Sequence, residues 1–568
     1  MTRSSARLLG AFMGLVCAIA AVQLVVFHHS QPAPDSIEYF EVADQIERVG
    51  YAKAVSLHWS PLYPLYLLAA RRVTSLPIER ELAVTAAADV VLLVGLCVVV
   101  GLVFSSLGRL CFPEDEEAGR AWLAYAGGLA LYFAFGVLRV GLRMPDALVT
   151  SLTVLTVWAW CRAMARGLDL RWSALAGLLG GVAYLTRSNL MHWSLVAAAA
   201  ACAIAPQVGR GRRLAAYAVF AAGLFAFVGP QVWVLSSTRG YVTTGESGKI
   251  VFAETYGAVW PGGHSAWPVR TSDGDVRIFT ETRNLNFPGF YDPGREYDDA
   301  TIPFRLTKTF LTIARSMRAT LFGYWSPAFA LMWPLFWALW PVMAYGFSVP
   351  AAAGGGPPAT ASHVLRRRLS WFLIAAGGAG VGMHLFSFSI GYYLPPYLIP
   401  LLLGLYLGLL DRCPPEPAAR RQRHRAAIIV AAVFAAATML TTANYLRRAD
   451  SRGRVEAVAD THAMAAALAS LPAGDGGKRR LAVAGNWLGL YAVRLSDCQV
   501  FADIPDPDVL HDRERGAAVV RALREQGVVA ILMPRSEARQ GDLLTWNVVS
   551  SAWTLADLRQ WPLPGAHR

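Results

Sequence analysis

Between Leu8 and Leu446 the chain returns repeatedly to apolar runs of about 20 residues, each long enough for an α-helix to cross a hydrocarbon core of ~30 Å. In lipid, backbone N–H and C=O groups must be satisfied within the protein, so such runs fold as helices. Composition agrees. Hydrophobic residues make up 55% of the chain and charged residues 16%, where a soluble domain carries about 25% charged residues. After Arg447 the sequence becomes ordinary mixed sequence.

The pattern predicts a polytopic α-helical membrane protein with about eleven transmembrane helices, near 8–28, 83–106, 121–138, 145–165, 172–187, 189–206, 214–236, 325–346, 370–390, 392–410 and 426–446. With the N-terminus in the cytoplasm, Arg109 and Arg120, the group Arg162, Arg166 and Arg171, and the group Arg210, Arg212 and Arg213 all fall inside. So do Arg366–Arg368 and the cluster Arg420, Arg421, Arg423 and Arg425. This satisfies the positive-inside rule and accounts for most of the net charge of +13 without nucleic acid as a partner. The segment Ser60–Val73 is apolar but short and carries two prolines. If it spanned, every later arginine cluster would move outside, so it reads as a re-entrant or interface-lying helix. Arg3 and Arg7 precede the first run, and no small-residue cleavage site follows it, which reads as an uncleaved anchor.

Three non-cytoplasmic regions follow: 29–82, a large loop 237–324, and a tail 447–568. The tail alternates helical stretches at 455–471 and 513–526 with strand-like stretches at 481–485 and 528–533, which predicts a small C-terminal α/β soluble domain beside a transmembrane domain 1–446. Cys17, Cys97, Cys161 and Cys202, four of the seven cysteines, lie in or beside apolar runs, and no CxxC pair occurs. Neither a disulfide framework nor a zinc site is indicated.

Ionisable residues inside a membrane are costly and mark function by default. Asp89, His192, His384 and Arg187 all fall in or beside the outer half of their spans, as do the short loop 139–146 (RVGLRMPD) and the acidic segment 35–44 (DSIEYFEVAD). One pocket at the outer leaflet would gather them. Each has a plain alternative: snorkelling or structural pairing for the intramembrane groups, helix capping for Asp35 and Asp146. A transporter would need ionisable groups along a path through both leaflets, and the inner half lacks them.

In this arrangement the chain resembles the GT-C glycosyltransferases, among them the protein O-mannosyltransferases and the aminoarabinose transferase that modifies lipid A. The resemblance rests on five motifs in order across residues 1 to about 410. An acidic motif with a tyrosine opens the first outer loop (Asp35, Glu38, Tyr39). A short proline-bearing helix follows (His58-Trp59-Ser60-Pro61-Leu62-Tyr63-Pro64). A second acidic residue opens a later span (Arg143-Met144-Pro145-Asp146). Leu185-Thr186-Arg187 closes another, and Tyr393-Leu394-Pro395 begins a late one. Ser36 departs from relatives with a second acidic residue after the first, and His58 stands where some carry lysine.

The resemblance implies inverting transfer of a sugar from a polyprenyl-phosphate donor to a hydroxyl acceptor on a glycan, lipid or protein. It implies Asp35 as the base, Asp146 orienting the acceptor or assisting Asp35, and Arg187 on the donor phosphate with His58 and Tyr393 beside it. Glu38, Tyr39, Asp89, His192, His384 and, in the large loop, His264 form a supporting set. The resemblance fixes no cofactor and allows a divalent metal ion. Bacterial-type relatives imply the inner membrane of a bacterium, with the site and tail on the periplasmic side. A different polyprenyl-linked ligase or polymerase, a lipid or glycan transporter, and a scaffold presenting the tail are the competing readings.

Overall fold

The computed structural model describes residues 3–28, 34–56, 58–76, 80–113, 115–140, 143–205, 208–245, 247, 269–270, 277–278, 309–312, 361–385, 393–412, 429, 431–440, 442–443, 451–471, 479–484, 490–496, 498–504, 506–536, 538, 544–549 and 553–560. These residues are mostly helical. The first ten helices are α1 (Arg3–Phe27), α2 (Pro34–Val49), α3 (Tyr51–Ala54), α4 (Leu62–Thr74), α5 (Glu81–Cys111), α6 (Glu116–Leu131), α7 (Asp146–Ala165), α8 (Leu170–Tyr184), α9 (Asn189–Ile204) and α10 (Arg210–Arg239). They are followed by α11 (Ala361–Leu385) and α12 (Pro395–Arg412).

Five helical stretches among the described residues are long and apolar enough to cross a membrane: Gly10–Phe27, Glu81–Cys111, Glu116–Leu138, Asp146–Ala165 and Arg210–Thr238. Shorter apolar helices occupy Asn189–Ile204, Pro395–Gly408 and Ala431–Leu440, within expected spans. The expected span 325–346 lies outside the described residues. The helix α4 is 13 residues, about 20 Å long, which is too short to cross. Its Arg71 bridges Asp44 of α2 at 2.6 Å and Glu81 of α5 at 3.1 Å, tying it to its neighbours.

Small residues let the helices approach closely, as lipid offers no hydrophobic drive for helix association. A Cβ on Gly181 of α8 would stand 2.7 Å from the Leu224 carbonyl oxygen of α10, and one on Gly377 of α11 would stand 2.6 Å from Leu401 Cβ of α12. The helix α6 continues as a π-helix, Tyr132–Leu138. Its widened turn is met by Gln23 of α1, which is fully buried, donates to the Phe135 carbonyl at 2.7 Å and accepts from Val140 N–H at 3.2 Å.

The basic helix ends collect at one end of this bundle. Arg366 of α11 donates to the Cys111 carbonyl at 2.9 Å, and Arg162 and Arg166 stack over Trp172. Asp146 opens α7 and Arg162 lies in its last turn, so Asp146 stands at the opposite end of that 20-residue helix, about 30 Å away along its axis.

Five strands of the tail and two short ones of the large loop build a mixed sheet among the described residues, in the order β1-β2-β4-β3-β5-β7-β6. Its centre is β3 (Arg479–Ala484), parallel to both β4 (Cys498–Ile504) and β5 (Val528–Pro534). Antiparallel β7 (Trp553–Asp557) and β6 (Asn547–Val548) extend one side. Both faces of the central strands are buried, and alternate residues belong to different apolar clusters. Leu481, Val483, Ala530 and Leu532 face the helix Ser451–Ala469, through Met464 and Leu468, and the outer-loop residues Ile37, Tyr39, Phe40, Tyr63 and Leu67. Ala482, Ala484, Ile531 and Met533 face Val519, Val520 and Leu523 of the helix Arg513–Glu525. At the other edge β2 (Arg277–Ile278) pairs antiparallel with β4 and β1 (Val269–Arg270) with β2, both strands coming from the large loop.

Candidate functional site

Asp146 is the first residue of α7, after Pro145, whose fixed φ suits a helix start. Its buried carboxylate does not serve as a local cap; it meets the Arg187 guanidinium at 2.8 Å, with Asp146 2% and Arg187 18% exposed. Arg187 lies in the turn between α8 and α9, where its backbone N–H donates to the Ala183 carbonyl at 3.1 Å. The same guanidinium stacks over the Tyr393 ring, 4.2 Å from its centroid. A planar, permanently charged fork held by a carboxylate and an aromatic face, with part of its surface open, is suited to grip phosphate oxygens.

His384, at the end of α11, completes one wall. Its ring lies 6.2 Å from that of Tyr393 and 5.3 Å from that of Tyr397, and Nε2 is 3.5 Å from the Asn189 side-chain nitrogen. Asn189 in turn bonds Tyr397. Sequence reasoning found Asp146, Arg187, Tyr393 and His384 but missed Asn189 and Tyr397. Tyr397 carried a signal, because it stands four residues after Tyr393.

Tyr39 links this wall to a second polar cluster. It is buried, lies within electrostatic reach of Arg187, and packs edge-on against Trp59 at 4.7 Å and Tyr63 at 5.2 Å. Tyr63 OH donates to Asp89 Oδ1 at 2.9 Å, and the backbone N–H of Arg143 donates to the same carboxylate. Arg143 is fully buried, and its guanidinium donates to the carbonyls of Phe27, at the end of α1, and Leu82, at the start of α5, at 3.0 and 3.4 Å. Asp89 is therefore placed by structure under the loop that carries Asp146. That loop is strained: Arg139 and Arg143 adopt positive φ of 34° and 50°. Arg143 was not anticipated as a functional residue.

Other expected residues fall elsewhere. His58 is partly buried beside Trp59, with ring centroids 4.3 Å apart. Burial holds its imidazole down to about 4. Burial favours the neutral imidazole, which can still donate an N–H to a phosphate oxygen. His192 is exposed on α9, so the structure does not bring it into the buried cluster. Glu38 lies half-buried in α2. The backbone of Asp35 lies in the first turn of α2, inside the helix rather than at the capping position before it; its side chain, and all of His264, lie outside the described residues. Among the described residues no group of three or more His, Cys, Asp or Glu side chains is placed to hold a metal ion.

No family model matches the sequence, and no curated protein matches it. Solved structures do. The chain is similar to crystal structures of ArnT from Cupriavidus metallidurans, in the apo state (TM-score 0.54, 14% identity, covering 98% of each chain) and bound to undecaprenyl phosphate (TM-score 0.52, 13% identity, covering 97% of this chain and 98% of that one). An oligosaccharyltransferase from Archaeoglobus fulgidus overlaps more loosely, with a TM-score of 0.44, 11% identity, and coverage of 92% of this chain and 68% of that one. Apolar helices long enough to cross a membrane and end-to-end structural overlap lead to one conclusion: the chain is an integral membrane protein that shares the fold of ArnT.

Proposed function

We propose that the protein transfers a sugar from a polyprenyl phosphate to a hydroxyl acceptor at the non-cytoplasmic face of the membrane, inverting the anomeric carbon. The observation that carries this reading is the Arg187 guanidinium, set on Tyr393 by Asp146 at the end of the bundle opposite the basic clusters. The fold is that of a protein crystallised with undecaprenyl phosphate. In this reading the eleven expected spans place residues 447–568 outside, in the compartment where a flipped lipid-linked sugar, rather than a nucleotide sugar, is the available donor.

The acceptor oxygen attacks the anomeric carbon as the bond from that carbon to the phosphate oxygen breaks. The bonding electrons leave with the phosphate, whose added negative charge Arg187 stabilises in place. Asp35 takes the acceptor proton as attack proceeds. Asp146 is a positioning residue, holding the Arg187 fork in one orientation.

The test follows release of free polyprenyl phosphate by purified protein in lipid, supplied with a panel of polyprenyl-phosphate sugars and candidate hydroxyl acceptors. Release by wild type is expected to drop about 100-fold or more in Asp35→Asn and in Arg187→Ala. Full activity in Asp35→Asn would remove the base assignment. Absence of release with every donor and acceptor would move the protein toward transport or scaffolding.

A further inference from the structure

The chain leaves α6 through the π-helix Tyr132–Leu138, and the last turn of that helix is closed by a side chain from α1. In a π-helix each N–H reaches the carbonyl five residues earlier. Arg139 N–H keeps to this series, donating to the Ala134 carbonyl at 2.9 Å. The next pair in the series, the Phe135 carbonyl and the Val140 N–H, is joined through Gln23. Its Nε2 donates to the Phe135 carbonyl at 2.7 Å, and its Oε1 accepts from the Val140 N–H at 3.2 Å. The side-chain amide therefore stands in the ladder as an inserted peptide group. Its partners fix its orientation, since a carbonyl only accepts and a backbone N–H only donates. Nε2 also donates to Thr442 Oγ1 at 3.2 Å, just past the apolar helix Ala431–Leu440. Gln23 is fully buried.

What the amide holds is the start of the loop that delivers Asp146. Arg139 turns the chain at a φ of 34°, and Arg143 turns it again at 50°. Such conformations persist where the surroundings over-determine them. Gln23 grips the loop at Val140, and Arg143 grips the Phe27 carbonyl at 3.0 Å. Gln23 and Phe27 lie four residues apart, on one face of α1. The last turn of α1 thus grips the loop twice, and three residues beyond Arg143 stands Asp146, 2.8 Å from Arg187. Within a membrane, a backbone carbonyl or N–H without a partner is costly. Without the Gln23 amide, Phe135 and Val140 must find other partners, and the loop must start from a different place.

We infer that Gln23 is a positioning residue: its amide fixes where the 139–146 loop departs and so brings Asp146 onto Arg187. Its part in turnover rests on the transferase reading.

The test pairs two variants of purified protein in lipid nanodiscs. Gln23→Met fills similar space without hydrogen bonds. Gln23→Glu, whose carboxyl is kept from water and carries its proton, offers one donor and one acceptor at the same reach. Gln23→Met is expected to lower kcat for polyprenyl phosphate release about 10- to 100-fold, the scale of a small misplacement of reacting groups, with donor KM within about threefold. Gln23→Glu is expected to keep kcat within about threefold of wild type. A residue that only fills space would give the reverse order, because methionine suits an apolar interior and a carboxyl does not. Hydrogen exchange, which needs no turnover, reads the loop directly. In Gln23→Met the amides of Val140 and Arg143, and those of residues 185–190 around Arg187, should exchange at least about tenfold faster. In Gln23→Glu they should stay near the wild-type rate. If wild type turns over no donor, this exchange pattern still supports Gln23 as the residue that sets Asp146 against Arg187, and only the transferase reading falls. Wild-type kcat in folded Gln23→Met, equal loss of kcat in both variants, or unchanged exchange at both stretches would overturn the inference. Should Gln23→Met fail to fold, Gln23→Asn, polar but one methylene short of both partners, carries the same expectations.

Discussion

At the scale of residues, the Asp146–Arg187 pair carries the clearest expectation. Asp146 is almost wholly buried and its partner is a cation, so removing either leaves the other buried without compensation. Because the two act as a unit, Asp146→Asn, Arg187→Ala and the double variant should lower kcat by similar factors, about 100-fold each, rather than multiplying. Steady-state kinetics on the three proteins checks this, and multiplicative losses would show that Asp146 acts apart from Arg187. His58 gives a pH prediction. Its folded value of about 4 lies below the ordinary value of 6.5. It therefore stays neutral across pH 5.5–8, while the unfolded chain takes up a proton below about 6.5. Stability gains nothing from its protonation and declines, through this group, as pH falls from about 6.5 toward 4. His58→Gln should leave the pH profile of donor KM unchanged between 5.5 and 8. A wild-type KM that rises as pH climbs through 6.5, and does so no longer in His58→Gln, would place a cationic histidine on phosphate.

At the scale of elements, the loop between the π-helix and α7 is held by a buried cross-brace. Arg143 ties the end of α1 to the start of α5, while its own N–H and Tyr63 of α4 share the Asp89 carboxylate. Asp146 follows three residues later, so its approach to Arg187 depends on this brace. Arg143→Met should cost about 3 kcal/mol or more of stability, since it strands Asp89 in the interior. The paired change Arg143→Met with Asp89→Leu should recover part of that. Thermal unfolding in lipid nanodiscs measures both, and a single variant as stable as wild type would remove the brace from the account. The helical periods of α5, α7 and α10 were legible because apolar runs of that length admit one structure in lipid. The brace was not, because nothing in RVGLRMPD says which carbonyls an arginine will reach.

At the scale of the whole molecule, the tail and the outer-loop helices share one apolar core. Ile37, Tyr39, Phe40, Tyr63 and Leu67 pack in the same cluster as Leu481, Val483, Ala530 and Leu532, and Tyr39 also borders the Arg187 site. Deleting residues 451–568 should expose this apolar face, lower the thermal midpoint of the remaining chain and reduce turnover at least tenfold. Unchanged melting and activity in the truncated protein would make the tail an independent appendage. The strands β3 and β5 were readable as short apolar runs, buried on both faces. The strands β4 and β7 were not, since CQVFADI and WTLAD mix polar and apolar residues without a clean alternation. The pairing of β2 onto β4 joins segments more than 200 residues apart, and no local pattern encodes it.

The sequence by itself determined that this is a membrane protein and which helix ends are basic; a shared site for Asp146, Arg187 and Tyr393 came only as what the resemblance implied, and the structure brings the three side chains together. Length, hydropathy and charge act locally, so each can be read along the chain. The tertiary structure decided the rest: that Asp146 meets Arg187, that Asp89 braces a loop beneath them, that the His58 ring packs against Trp59, and that His192 stays outside. Those assignments depend on burial and on which side chains meet across helices. Spacing along a helix fixes a residue's height, but only packing fixes the neighbour it meets and the dielectric in which its charge must live.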